Sequence, residues 1–156
     1  MADVKINDLT TAAVSGSMQL ETDISGTLSN KISISDLTAY LASNLPFEGF
    51  TWSIVTTSIA MQSSNGYITN SVSTINFTLP TTAAVGDTFR VVNFSAGGWQ
   101  INQNAGQTVY FGTQATTTGV GGYCASTQLR DSVEIICVTA NTDFVIIAGV
   151  GNINLM

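Results

Sequence analysis

The chain is expected to fold as an all-β protein: an antiparallel β-sandwich or barrel-like head behind a short extended and helical appendage. Three observations predict it. From Phe47 onward, short runs rich in Val, Ile, Thr, Phe and Tyr are separated by turn signals such as Asn65-Gly66, Ala96-Gly97-Gly98 and Asn104-Ala105-Gly106. That punctuation is typical of sandwich and barrel strands. The chain is also rich in Thr, Ser, Asn and Gly, which favour turns and strands over helices. Finally, residues 132–149, SVEIICVTANTDFVIIAG, read as two strands joined at Ala140-Asn141-Thr142, the polar break of a hairpin.

Taken in order, residues 1–46 form one region and 47–156 another. In the first, Val4, Ile6 and Leu9 give a brief apolar spacing. A strand is expected over 18–23, a turn at Ser25-Gly26-Thr27 and a strand over 30–34. Ser35 then reads as an N-cap, with Asp36 near the positive end of a helix dipole. Leu37, Tyr40, Leu41 and Leu45 follow at helical spacing, and Pro46 and Gly49 stop the helix. In the second region strands are expected over 51–60, 66–70, 74–79, 87–95, 99–102, 107–112 and 122–126, followed by the hairpin. No repeat of fixed period is visible.

The hairpin is unusual because both its faces are apolar. Val133, Ile135 and Cys137 point one way; Ile136 and Val138 point the other, beside Glu134. In the second arm Phe144, Ile146 and Ala148 oppose Val145, Ile147 and Val150. One face packs inside the domain, and the other needs a cover from a second sheet or a second subunit. Ile136, Val138, Val145 and Ile147 are therefore the candidate subunit interface.

Composition narrows the function. Charged residues make up only 9% of the 156, against about 25% in typical soluble proteins. A monomer with so few surface charges would be poorly soluble unless amides and hydroxyls solvate it or copies of itself cover it. Net charge is −6, no Lys follows Lys31, and Lys5, Lys31, Arg90 and Arg130 form no basic patch, which argues against nucleic acid. No apolar run is long enough to span a bilayer, so no membrane insertion is expected. The opening MADVKINDLTT lacks a secretory signal pattern, so synthesis in a cytoplasm is expected, with any exit by another route. Cys124 and Cys137 read as buried thiols, with a disulfide as the alternative.

Histidine is absent, which removes Ser-His-Asp and Cys-His catalysis and imidazole metal sites; no cofactor or metal is expected. Glu48, Asp87, Asp131, Glu134 and Asp143 are the carboxylates of the β region. They read as turn caps and solvating groups rather than a glycosidase pair. Gly119-Val120-Gly121-Gly122 lacks the Lys and the helix of a phosphate loop. The chain is not expected to be an enzyme. Trp99, with Gln100, Asn102, Tyr110 and Tyr123, is the candidate binding group: an aromatic face beside amides can stack on a sugar and bond its hydroxyls. The alternative is a core or interface Trp with exposed amides. Trp52 reads as packing near the helix-to-β junction. Arg90 and Glu134 read as a structural ion pair, within one subunit or across two.

Two segments carry a family resemblance. Lys5-Ile6-Asn7-Asp8-Leu9 and Asn30-Lys31-Ile32-Ser33-Ile34-Ser35-Asp36-Leu37, around a Thr- and Ser-rich middle, resemble the N-terminal segment of bacteriophage tail-fibre and tail-spike proteins. Thr10 stands where such segments often have Pro, and Ser25-Gly26-Thr27 replaces their Asp-Gly. The second segment runs from Leu79-Pro80 through Gly86-Asp87 to Gly97-Gly98-Trp99, Asn104-Ala105-Gly106 and the glycines at 119–122. It is similar to C-terminal β domains of phage-like fibres, which act as trimeric tips. The resemblance implies a homotrimer in a virion tail or fibre, assembled in the host cytoplasm. Residues 1–46 would dock on other virion or tail proteins, and the β head would face a host surface glycan. The rival expectation is a decoration or fibre-hub protein with no ligand of its own, and a glycan-cleaving depolymerase is a third.

Overall fold

The computed structural model describes residues 19–23, 29–44 and 49–156. The chain divides into two compact units, Met1–Phe47 and Glu48–Met156. In the first, β1 (Gln19–Asp23) pairs antiparallel with β2 (Ser29–Ser33), Leu20 opposite Ile32, and helix α1 (Ile34–Asn44) follows directly. The helix begins at Ile34, one residue before Ser35, and Leu37 is half-buried while Tyr40 and Leu41 are exposed. The Val4–Leu9 spacing, the turn at Ser25-Gly26-Thr27, Leu45 and Pro46 lie outside the described residues.

The second unit is all β, two mixed sheets packed face to face with no barrel closure. The expected strand over 51–60 is two strands in different sheets: β3 (Thr51–Val55) and β4 (Ile59–Ala60). The chain then keeps alternating between sheets through β5 (Asn65–Thr69), β6 (Ile75–Thr78), β7 (Thr88–Asn93) and β8 (Trp99–Asn102). Next come β9 (Thr108–Phe111), β10 (Gln114–Ala115), β11 (Tyr123–Ser126), the hairpin β12 (Ser132–Thr139) and β13 (Asp143–Val150), and β14 (Ile153–Leu155). The larger sheet has the order β10-β9-β13-β12-β7-β5-β3 and the smaller β14-β11-β8-β6-β4.

The expectation of an antiparallel sandwich is corrected by this alternation. β3, β5 and β7 run parallel in one sheet, and β4, β6 and β8 run parallel in the other. Each strand pair forms one coil of a short two-sheet winding; a chain that crosses to the facing sheet and returns arrives in the same direction. Between the last two coils the offset is 24 residues in both sheets, Asn65 opposite Phe89 and Ile75 opposite Trp99. The first coil is shorter, so the sequence shows no fixed period. The antiparallel hairpin β12–β13 then pairs with β7 through β12, and β13 takes β9 in parallel.

The core lies between the sheets. Phe89, Val91, Val109, Ile135 and Phe144 of the larger sheet meet Ile75, Phe77, Trp99, Ile101 and Cys124 of the smaller, all fully or almost fully buried. Tyr67 and Phe77 bridge the layers with ring centroids 5.2 Å apart. Alternation along β7 (Phe89, Val91, Asn93 inward) and β8 (Trp99, Ile101 inward) is the period-2 pattern of a half-buried strand. Buried polar side chains hold the strand ends. Thr69 Oγ1 donates to Asn93 Oδ1 (2.9 Å) one coil on, and Gln107 Nε2 donates to Pro80 O (2.7 Å). Asp131, almost fully buried, accepts from the backbone N–H groups of Thr127 (2.7 Å) and Gln128 (2.8 Å).

Both cysteines are free and fully buried. Burial pushes the Cys124 thiol up to about 12, opposed weakly by a backbone hydrogen bond. Burial also raises Cys137, with Asp87 and Asp143 adding to the rise. Only the thiolate reacts appreciably. Native protein should therefore resist iodoacetamide at neutral pH and take up two labels when unfolded, as read by mass spectrometry. Rapid labelling of the native protein would contradict this burial.

Candidate assembly and binding surfaces

The hairpin carries one apolar face into the core and leaves the other uncovered. Val133, Ile135 and Cys137 are buried, as are Phe144 and Ile146. Ile136 lies directly opposite Val145 on the outer face, both half-buried, and Val138 and Ile147 are exposed, Ile147 by 54%. One expectation is corrected. Ile135 pairs with Ile146 but Glu134 pairs with Ala148, so Ile147 is an extra residue, a β-bulge. The bulge turns Ala148 to the outer face with Glu134, away from Phe144 and Ile146, because directly opposite residues share a face.

Neighbouring strands extend this surface. One row across the larger sheet runs Ile54, Ile68, Val92, Ser132, Val150, and another runs Thr88, Ile136, Val145, Tyr110. Ile54 and Val150 are 68% and 64% exposed. Trp52, 46% exposed, belongs to this face too. It lies on the outer face of edge strand β3, opposite Gly66, where an added Cβ would come within 2.5 Å of its ring. Glycine is needed at 66 because the indole occupies that space. The Arg90–Glu134 pair sits in the middle of the face, Nη2 to Oε1 2.7 Å, as an ion pair within one chain. The guanidinium also lies 3.9 Å over the Phe50 ring. A shallow hollow of about 220 Å³ opens here between Trp52, Arg90, Val92, Glu134 and Val150.

The candidate sugar-binding residues do not form one site. Trp99 is 1% exposed, and its indole N–H donates to Asp131 O at 3.0 Å. Its ring is part of the core and cannot stack on a ligand. Tyr110 belongs to the other sheet, partly exposed, with its hydroxyl 3.4 Å from Asp143 Oδ1. Gln100, Asn102 and Tyr123 do come together, on the outer face of the smaller sheet. Asn102 is opposite Tyr123 and Thr78, and Gln100 is opposite Asn76. Gln100 Nε2 donates to Asn102 Oδ1 (2.6 Å), and Asn102 Nδ2 to Phe77 O (3.1 Å). Asn154 on β14 continues the amide row through Ala125. Period-2 alternation, applied to WQIN, already sets Trp99 opposite to Gln100 and Asn102.

The carboxylates of the described β region act as local acceptors. Asp87 accepts from Ala84 N (2.8 Å) and Ser63 Oγ (2.7 Å), Asp131 holds its loop, and Glu134 pairs with Arg90. Among the described residues no cluster of His, Cys, Asp and Glu could hold a metal ion, and no helix is long and apolar enough to cross a membrane. The chain matches no protein-family model and no curated protein.

Proposed function

We propose that this chain is a self-assembling attachment protein of a phage-like particle, working as a homotrimer. The outer face of the larger sheet would be buried between copies, and the smaller sheet and the loops would face a host surface glycan. The observation that carries the assembly reading is the uncovered apolar face around Ile136, Val145, Ile147 and Val150. Contiguous exposed apolar surface marks interaction sites, and 9% charged residues leave little else to keep single copies apart. The trimeric state, the virion setting and the docking role of residues 1–46 rest on resemblance to tail-fibre sequences. A structural or decoration role without a ligand is the second reading, favoured by the burial of Trp99.

Analytical ultracentrifugation of the full chain tests the assembly reading. The expected mass is near three times 16.3 kDa, kept on dilution. A stable monomer would remove it. Glycan-array binding by the assembled protein separates attachment from a purely structural role.

A further inference from the structure

Loops 70–74, 94–98 and 127–131 gather at one end of the sandwich, and a cleft of about 450 Å³ opens between the last two. The size is that of a small-ligand site. Its walls are fixed by buried groups. Asn93, 2% exposed, accepts from Thr69 Oγ1 and donates to Gln128 O (2.8 Å). Asp131 holds the N–H groups of Thr127 and Gln128. Arg130 has a left-handed backbone (φ 74°), unusual for a side-chain-bearing residue, and its N–H donates to Asn93 O at 2.9 Å. These hydrogen bonds tie both walls of the cleft to the strand ends.

At its mouth Phe94 is 64% and Leu129 53% exposed, and the exposed Gln128 offers an amide side chain. None of the lining residues is charged. We infer that this cleft is a neutral-saccharide site, with Phe94 as the stacking platform and Gln128 as the hydrogen-bonding amide. A pyranose presents an apolar C–H face to an aromatic ring while its hydroxyls need donor–acceptor groups, and an amide supplies both. A carboxylated or phosphorylated sugar would find no cation in the lining. This inference rests on the attachment reading and places its ligand here rather than on the Gln100–Asn102–Tyr123 face.

Saturation-transfer NMR of the full chain with methyl glycosides of neutral hexoses, at millimolar concentration, tests it. Transfer to the sugar is expected in the parent. Phe94→Ala and Gln128→Ala should each weaken binding about tenfold, equivalent to about 1.4 kcal/mol, with circular dichroism and oligomer mass unchanged. Tyr123→Ala should bind like the parent. Loss in Tyr123→Ala but not in Phe94→Ala would move the ligand to the sheet face and overturn the cleft assignment alone. Transfer only to sialosides or uronates would overturn the neutral class. A Phe94→Ala variant that dissociates would make the cleft a subunit contact instead. Absence of transfer to any sugar, with periodate-insensitive binding to a panel of bacterial cells, would overturn the saccharide site and leave attachment standing.

Discussion

Ile135→Lys should prevent folding, whereas its neighbour Ile136→Lys should fold and fail to assemble. Ile135 is fully buried between the sheets, opposite Ile146 and Phe89. An unpaired ammonium there costs several kcal/mol, a large part of a total stability of about 5–15 kcal/mol. Ile136 points to the opposite face, between Thr88 and Val145, and is only half-buried. In a single copy its lysine can reach solvent along its own stem. In a trimer that buries this face, three such charges near one axis repel one another and lose their hydration. Circular dichroism and sedimentation on the two variants read the contrast. An Ile136→Lys protein that stays trimeric and as stable as the parent would show that this face looks to solvent. Failure of both to fold would mean that the outer face is needed within one chain.

Trp99→Ala should cost about 3–5 kcal/mol, the usual range for emptying a large aromatic site in a core. The ring is buried between the sheets, and its N–H satisfies the Asp131 carbonyl beside the buried Asp131 carboxylate. Trp99→Phe keeps most of the apolar volume and removes one of two donors to that carbonyl, which still accepts the Asn93 N–H at 2.9 Å, so it should cost about 0.5–1.5 kcal/mol. Urea unfolding midpoints measure both, and the order Ala worse than Phe is the expected result. An unchanged midpoint in Trp99→Ala together with lost sugar binding would place the ring at the surface and reverse the correction.

Much of the fold was legible because strand chemistry is local. The turn at Asn141, with its positive φ of 68°, and the two arms of the hairpin follow from a polar break between runs of Val, Ile and Phe. The Arg90–Glu134 pair was legible as two opposite charges in otherwise apolar strands, and the register sets them directly opposite. The two-residue β10 and the terminal β14 were not, since strands so short carry almost no periodic signal. The cleft at Phe94 and Gln128 left no motif, because its walls come from loops far apart in the chain.

By itself the sequence determined which residues share a face: Val133 with Ile135, Ile136 with Val138, Trp99 with Ile101 and against Gln100. A period of two does that in any extended chain. Only the tertiary structure decided which face of β8 turns inward, which sheet each strand joins and whether neighbours run parallel. Parallel and antiparallel partners accept the same alternation, and the choice is made by the chain crossing to the facing sheet and back. It also decided the bulge at Ile147, which turns Ala148 outward because one extra residue shifts every later side chain to the other face.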